Sequence, residues 1–246
     1  MNITEQYRQA RKGNIDTIVL EGAHAFKHAV RFGAEIVHVA LKENSEAKQV
    51  LKKFGGESEI LELEKYAKIV PNEIWSTLSP NNPATGLIAL AKKPIMQKAL
   101  VGNTAVFLEN PNSLFNVGAI IRTLAAAGVA SIVVSGRNNP WHADCISTSR
   151  GLHFAMKHIS HINSINELTA LAEHSTYTPY ALDTDTDFEI HMLKTDINKK
   201  LFMFGTERDG LSEEATTIAK RVVKIPMQKG VSSLNLAASV AVVVYH

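Results

Sequence analysis

From residue 104 onward, short apolar runs alternate with helical segments, and this alternation restricts the possible folds more than any other feature. "TAVFLE" reads as a strand. "NVGAIIRTLAAAG" reads as a helix opened by Asn116 and closed by Gly128. "SIVVSG" is a strand, "SINELTALAEHS" an amphipathic helix, "TPYALDTD" a strand end and "KKLFMFG" a buried strand. "SEEATTIAK" opens a helix with Ser212 as N-cap and acidic residues in its first turn, where the helix dipole favours them. "RVVKIP" is a last strand before an apolar terminal segment. Strands alternating with helices predict an α/β fold, a parallel sheet covered on both faces. In such sheets ligands bind outside the carboxyl ends of the strands.

Residues 1–94 follow a different rhythm. "TIVLEG" and "AEIVHVALK" read as strands on either side of a helix whose apolar face is Ala23, Phe26, Ala29 and Val30, with Gly33 as its stop. A second helix ends on the Gly55–Gly56 pair, and the turn-rich "SPNNPATG" leads into the strand "LIALAKKP". This predicts a small α/β domain over 1–94, a linker over 95–103 and a larger domain over 104–246. A chain of 246 residues with 45% apolar content has material for a real core. Its single cysteine, Cys145, excludes an internal disulfide framework and a cysteine-built zinc site, and fits a cytoplasmic setting. The formal charge of +2 permits a nucleic-acid partner without requiring one. The clusters Arg8, Arg11, Lys12 and Lys92, Lys93, Lys98 read as solvated charge. The start lacks a signal-peptide pattern. Leu236 to Tyr245 is about half the ~20 residues a membrane span needs, so a buried helix and no membrane are expected.

Three loops of the larger domain are chemically unusual. In "LENPNSLFNVGAIIRTLAAAG", Arg122 follows Asn116 by six residues, nearly two turns, or about 9 Å along a helix axis. Asn116 as a cap with Arg122 as a surface charge is one reading. The other notes that the helix is otherwise apolar on all sides, so Arg122 is semi-buried and seeks an anion, phosphate being the natural match. In "FGTERDGLSEE", Gly205 admits close approach to the backbone and Glu207 stands at a strand's carboxyl end; a plain turn before a helix is the alternative. In "IPMQKGVSSLNLAASVAVVV", Pro226 stops a strand and Gly230 permits an unusual turn. Ser232 and Ser233 are candidate caps for a helix with the apolar face Leu234, Leu236, Ala237, Ala238, Val240 and Ala241. Asn235 then falls in the first turn.

Common cofactor signatures do not occur: no phosphate loop ending in Lys-Ser/Thr, no dinucleotide fingerprint, no His-Glu-x-x-His and no Gly-x-Ser-x-Gly elbow. His158 and His161, three apart in a strand-like context, point to opposite faces and do not suggest a metal site.

Together, and in this order, the three loops resemble the signature motifs of the SpoU (TrmH-like) class of RNA ribose 2′-O-methyltransferases in the SPOUT superfamily. The first is Asn116-Val117-Gly118-Ala119-Ile120-Ile121-Arg122-Thr123, the second runs from Gly205 to Leu211, and the third joins Ile225-Pro226-Met227 to Ser233-Leu234-Asn235. The resemblance covers 104–246. More loosely, residues 1–94, including "SPNNPATGLIAL", resemble the family's ribosomal-protein-like RNA-binding domain. It implies a parallel-sheet domain with a deep C-terminal trefoil knot, S-adenosyl-L-methionine as methyl donor, a homodimer packed through the final helix, and structured rRNA or tRNA as substrate, with no metal. Carried over by position, Gly205, Ile225, Met227 and Leu234 hold the donor, while Asn116, Arg122, Glu207, Ser233 and Asn235 form the polar catalytic site. An arginine is a poor base at neutral pH, so Arg122 suits holding an RNA phosphate beside the ribose hydroxyl.

The third motif departs from the family at Lys229, often glycine, and at Ser232, often glutamate. With the sequence stopping at His246, a short last helix is expected. Two other readings compete: a catalytically silent RNA-binding protein on the same scaffold, and an α/β phosphoryl transferase, which the missing phosphate loop disfavours.

Overall fold

The computed structural model describes residues 2–13, 15–206 and 208–246, Lys194 by its backbone alone. Contacts divide the chain into two compact units, Met1–Ile95 with Trp141–Ala155, and Met96–Pro140 with Met156–His246.

The first unit runs α1 (Ile3–Arg11), β1 (Thr17–Glu21), α2 (Ala23–Arg31), β2 (Ile36–Lys42), α3 (Ala47–Phe54), α4 (Glu57–Tyr66), β3 (Ala67–Val70), α5 (Asn72–Leu78) and β4 (Leu87–Lys92). Its sheet has the order β1-β4-β2-β3; β4 is antiparallel to both neighbours, and β2 and β3 are parallel. Helix α2 buries Ala23, Ala25, Phe26 and Ala29, while Val30 is only half-buried. Gly33, at φ +83°, takes the left-handed conformation that ends such a helix.

The basic cluster near the start is not uniformly solvated, contrary to its sequence reading. Glu21 ends β1 as a buried carboxylate, and Arg11 pairs with it at 2.8 Å while also donating to the Leu78 carbonyl. A buried carboxylate without such a partner would be costly. Arg8, by contrast, pairs with Glu5 in solvent. Of the second cluster, Lys93 lies over the Trp141 ring, 4.9 Å from its centroid.

The second unit opens with β5 (Thr104–Leu108), α6 (Leu114–Ala127) and β6 (Ser131–Ser135). The chain then contributes α7 (Ala143–Thr148) and a 3-10 turn, Leu152–Ala155, to the first unit, packing on β1 and α2 respectively. The expected domain 104–246 is thus interrupted at Trp141–Ala155. It returns as β7 (His158–Ile162), α8 (Ile165–Ser175), β8 (Tyr177–Leu182), β9 (Lys199–Phe204), α9 (Glu213–Thr217), β10 (Arg221–Val223) and α10 (Leu236–Val244). These strands form one sheet, β10-β8-β9-β5-β6-β7, in which every neighbouring pair is parallel. This is the expected α/β parallel-sheet domain. Ala105 on β5 stands between Leu201 of β9 and Ser131 of β6, and Phe107, Val133, Leu168 and Met203 are fully buried about it. Helix α10 packs against α6.

Two helix starts differ from expectation. Ser113, not Asn116, caps α6: its hydroxyl accepts from the Asn116 amide at 3.4 Å. Asn235, not Ser232 or Ser233, caps α10 by accepting from the amides of Ala237 (2.9 Å) and Ala238 (3.4 Å). With the helix beginning at Leu236, its buried stripe is Leu236, Val240 and Val243, while Leu234 and Ala238 are exposed.

Candidate functional site

Strands β8, β9 and β10 end on the apolar residues Leu182, Phe204 and Val223, which are followed by Asp183, Gly205-Thr206 and Lys224. Their parallel pairing brings these three ends side by side. The loops leaving them, with the segment that enters α10, enclose a cavity of about 320 Å³. That volume falls within the range of small-molecule sites. Leu182, Phe204, Val223, Ile225, Met227 and Leu236 give it an apolar lining; Asp183, Thr184, Thr206, Ser233 and Ser239 add polar groups.

The loop after β9 is a tight closed turn. The amide of Thr206 donates to the Gly210 carbonyl at 2.9 Å and the Gly210 amide returns the bond at 3.2 Å. The Thr206 hydroxyl accepts from the Asp209 amide at 2.9 Å. Gly205 has no room for a side chain, because a Cβ there would run into the Gly210 carbonyl and the Leu211 amide. The glycine is thus demanded by the turn's own closure, in line with the alternative of a plain turn before a helix, and Gly205 also lines the cavity. Gly210, at φ +71°, supplies the left-handed step.

A buried carboxylate anchors this turn from the neighbouring strand. Glu109, just beyond β5, accepts from the Ser212 amide (2.8 Å) and hydroxyl (2.7 Å), and its own amide donates to the Phe204 carbonyl (2.8 Å). The same Ser212 hydroxyl accepts from the Ala215 amide and caps α9, as the sequence predicted. After β10 the chain makes a turn in which the Val231 amide donates to the Gln228 carbonyl, with Gly230 at φ +92°.

Of the nine site residues expected from sequence, five line this one cavity: Gly205, Ile225, Met227, Ser233 and Leu234. Asn235 caps α10, whose Leu236 and Ser239 line it. Asn116 and Arg122 lie on α6 and are not among its walls. Glu207 lies outside the described residues. Arg122 is exposed, contrary to the semi-buried setting read from its apolar neighbours. Val117, Gly118, Ile120, Ile121 and Leu124 take the inner face of α6, so residue 122 falls on the outer one with Phe115.

Sequence reading missed Asp183 and Glu109. Both follow the last apolar residue of a parallel strand, and a carboxylate at that point is the signal that was available. The charged walls of the cavity among the described residues are Asp183, Arg208 and Asp209. Among those residues no group of three or more His, Cys, Asp or Glu is placed to hold a metal ion, and no helix is long and apolar enough to cross a membrane.

Comparison with known proteins gives a consistent set of similarities. The SpoU rRNA Methylase family matches residues 103–245. A 23S rRNA (adenosine(1067)-2′-O)-methyltransferase of Streptomyces azureus is 23% identical over 242 residues, covering 95% of this chain and 87% of its own. An uncharacterized tRNA/rRNA methyltransferase of Mycoplasma genitalium is 27% identical over 182 residues, 74% of each chain. Among solved structures, the SpoU methyltransferase AviRb from Streptomyces viridochromogenes, in complex with the cofactor AdoMet, superposes with a TM-score of 0.80 at 21% identity, over 100% of this chain and 96% of that one.

Proposed function

The chain belongs to the SpoU rRNA Methylase family, and on that premise we propose that it transfers a methyl group from S-adenosyl-L-methionine to a ribose 2′-hydroxyl of structured rRNA or tRNA. The observation that carries this reading is the cavity at the ends of β8, β9 and β10, where Gly205 from one motif meets Ile225, Met227, Ser233 and Leu234 from another. The 2′-O specificity named for the Streptomyces azureus relative and the AdoMet bound by AviRb support it.

The residues present fit the donor. Leu182, Phe204, Val223 and Ile225 offer an apolar seat for a purine, and the backbone of Gly205, Thr206 and Gly210 offers peptide groups at its edge. Bound there, S-adenosylmethionine supplies a methyl already activated by its sulfonium. What the chain must add is alignment and charge placement. Arg122 is exposed on α6, and its guanidinium has the planar fork that grips an RNA phosphate beside the attacking hydroxyl. Asn116, Glu207, Ser233 and Asn235 complete the polar site in this reading.

Arg122 faces outward on α6, which exposes Phe115, while α10 exposes Val242 and its two flanks expose Leu234 and Tyr245. A homodimer across that surface buries these side chains and brings Arg122 of one protomer toward the donor cavity of its partner. In the same reading the segment 225–235 passes through a deep trefoil knot to wrap the donor, residues 1–94 are the RNA-binding domain joined through 95–103 to the catalytic domain 104–246, less the segment 141–155 that packs with the first unit, and the protein works in the cytoplasm.

The test is methyl transfer from labelled donor to bulk RNA, wild type against Arg122→Ala, followed by nucleoside mapping. Label is expected in 2′-O-methylribose, with a loss on the order of a hundredfold or more in the variant. Donor binding and melting temperature are expected to stay unchanged. Label on a base refutes the reaction, and RNA binding without donor binding identifies a silent scaffold.

A further inference from the structure

We propose that Asp183 is the carboxylate that receives the donor's ribose diol, an assignment that rests on the donor reading above. Asp183 directly follows Leu182, so it stands at the edge of the apolar seat formed by Leu182, Phe204 and Val223. Its side chain is held in place. Oδ1 accepts from the backbone amides of Thr184 (2.6 Å) and Asp185 (3.1 Å), which fixes the plane of the carboxylate. Oδ2 is left over and lies toward Gly210, 3.8 Å from where a Cβ of that residue would be. Asp183 pairs with no cation among the described residues, although Arg208 lines the same cavity.

The chemistry of the donor selects its diol. With the purine on the apolar seat, the ribose hydroxyls are the first polar donors beyond it, a few bonds away. The ammonium group lies at the far end of the methionyl chain. A carboxylate oxygen at the carboxyl end of a parallel strand, beside a glycine turn, is well suited to accept from ribose hydroxyls. Gly210 keeps that approach open, since nothing projects from it toward Oδ2.

The full chain is titrated by calorimetry with S-adenosylhomocysteine and with 5′-methylthioadenosine, which keeps the base and diol but has no amino-acid end. Asp183→Asn is the informative variant, because its amide oxygen still serves the two backbone amides while the charged acceptor is gone. Both ligands are expected to weaken by a similar factor, about tenfold or more, with an unchanged melting temperature. On the wild-type chain, removing the 2′-hydroxyl of methylthioadenosine is expected to weaken binding comparably, a measurement that needs no variant. A loss confined to adenosylhomocysteine shows that the carboxylate reads the amino-acid end and overturns the proposal. So does undiminished binding in the variant, indifference to the missing hydroxyl, or wild-type binding of adenosylhomocysteine without methylthioadenosine. If the wild type binds none of these ligands, the donor reading itself falls.

Discussion

Replacing Gly205 with alanine tests the turn that shapes the cavity. Gly205 does not sit in the left-handed region, so alanine meets no backbone penalty there, and the conflict is purely one of space. The added Cβ would fall about 1 Å inside the 3.0 Å limit that real Cβ atoms respect, and it would do so against three backbone atoms of Gly210 and Leu211 at once. Backbone cannot rotate aside as a side chain can. The cheapest relief is to open the turn by roughly 1 Å, which strains or breaks both hydrogen bonds between Thr206 and Gly210, at about 1 kcal/mol each, with overpacking strain of similar size added. A loss of about 2–3 kcal/mol of folding stability is expected. Donor affinity should fall about tenfold or more, because Gly205, Thr206 and Gly210 all move relative to Ile225 and Leu234 across the cavity. Urea denaturation and calorimetric titration with S-adenosylmethionine, wild type against Gly205→Ala, read the two effects. A variant that melts with the wild type and binds the donor undiminished would refute the claim that closure of this turn requires a glycine.

The anchor at Glu109 makes a related prediction. Glu109→Ala leaves the Ser212 amide and hydroxyl without their acceptor and should cost about 1–3 kcal/mol in urea denaturation, with Glu109→Gln costing clearly less; equal losses would argue against a hydrogen-bonding role. Histidines give a pH signature. His28, His38 and His158 are each held below the ordinary imidazole value, first by burial. Protonation therefore favours the unfolded chain: their contribution is complete above about pH 6.5 and declines as the pH falls toward the folded values. The melting midpoint should drop between about pH 7 and about pH 5, and a midpoint that holds or rises over that interval would contradict the assignment.

Much of this architecture was legible in the sequence because the interactions that specify it close within a few residues. The Ser212 cap is satisfied three positions on, by Ala215. The glycine stops at Gly33 and Gly128 act through their own left-handed φ. Strand and helix segments follow from apolar spacing that each segment carries in itself. The alternation of those segments implied a parallel sheet, and with it the end of the sheet where a site belongs.

Other features depend on partners that local pattern does not name. Ser232 and Ser233 read as the caps of α10, with Asn235 in its first turn, because serine and asparagine suit the cap position alike; burial of Leu236 settles where the helix begins and makes Asn235 the cap. Arg122 was read as semi-buried because its neighbours are apolar, yet which side of α6 faces inward is decided by the sheet and by α10. The chain order of the strands did not reveal that β9 lies between β8 and β5, nor that residues 141–155 join the first unit. Glu109 and Ser212 meet across 103 positions of sequence. Local hydrogen-bond rings are encoded where they form, whereas strand order and the convergence of Asp183, Gly205, Ile225 and Ser233 on one cavity arise from burying the whole sheet at once, a sum over residues far apart along the chain.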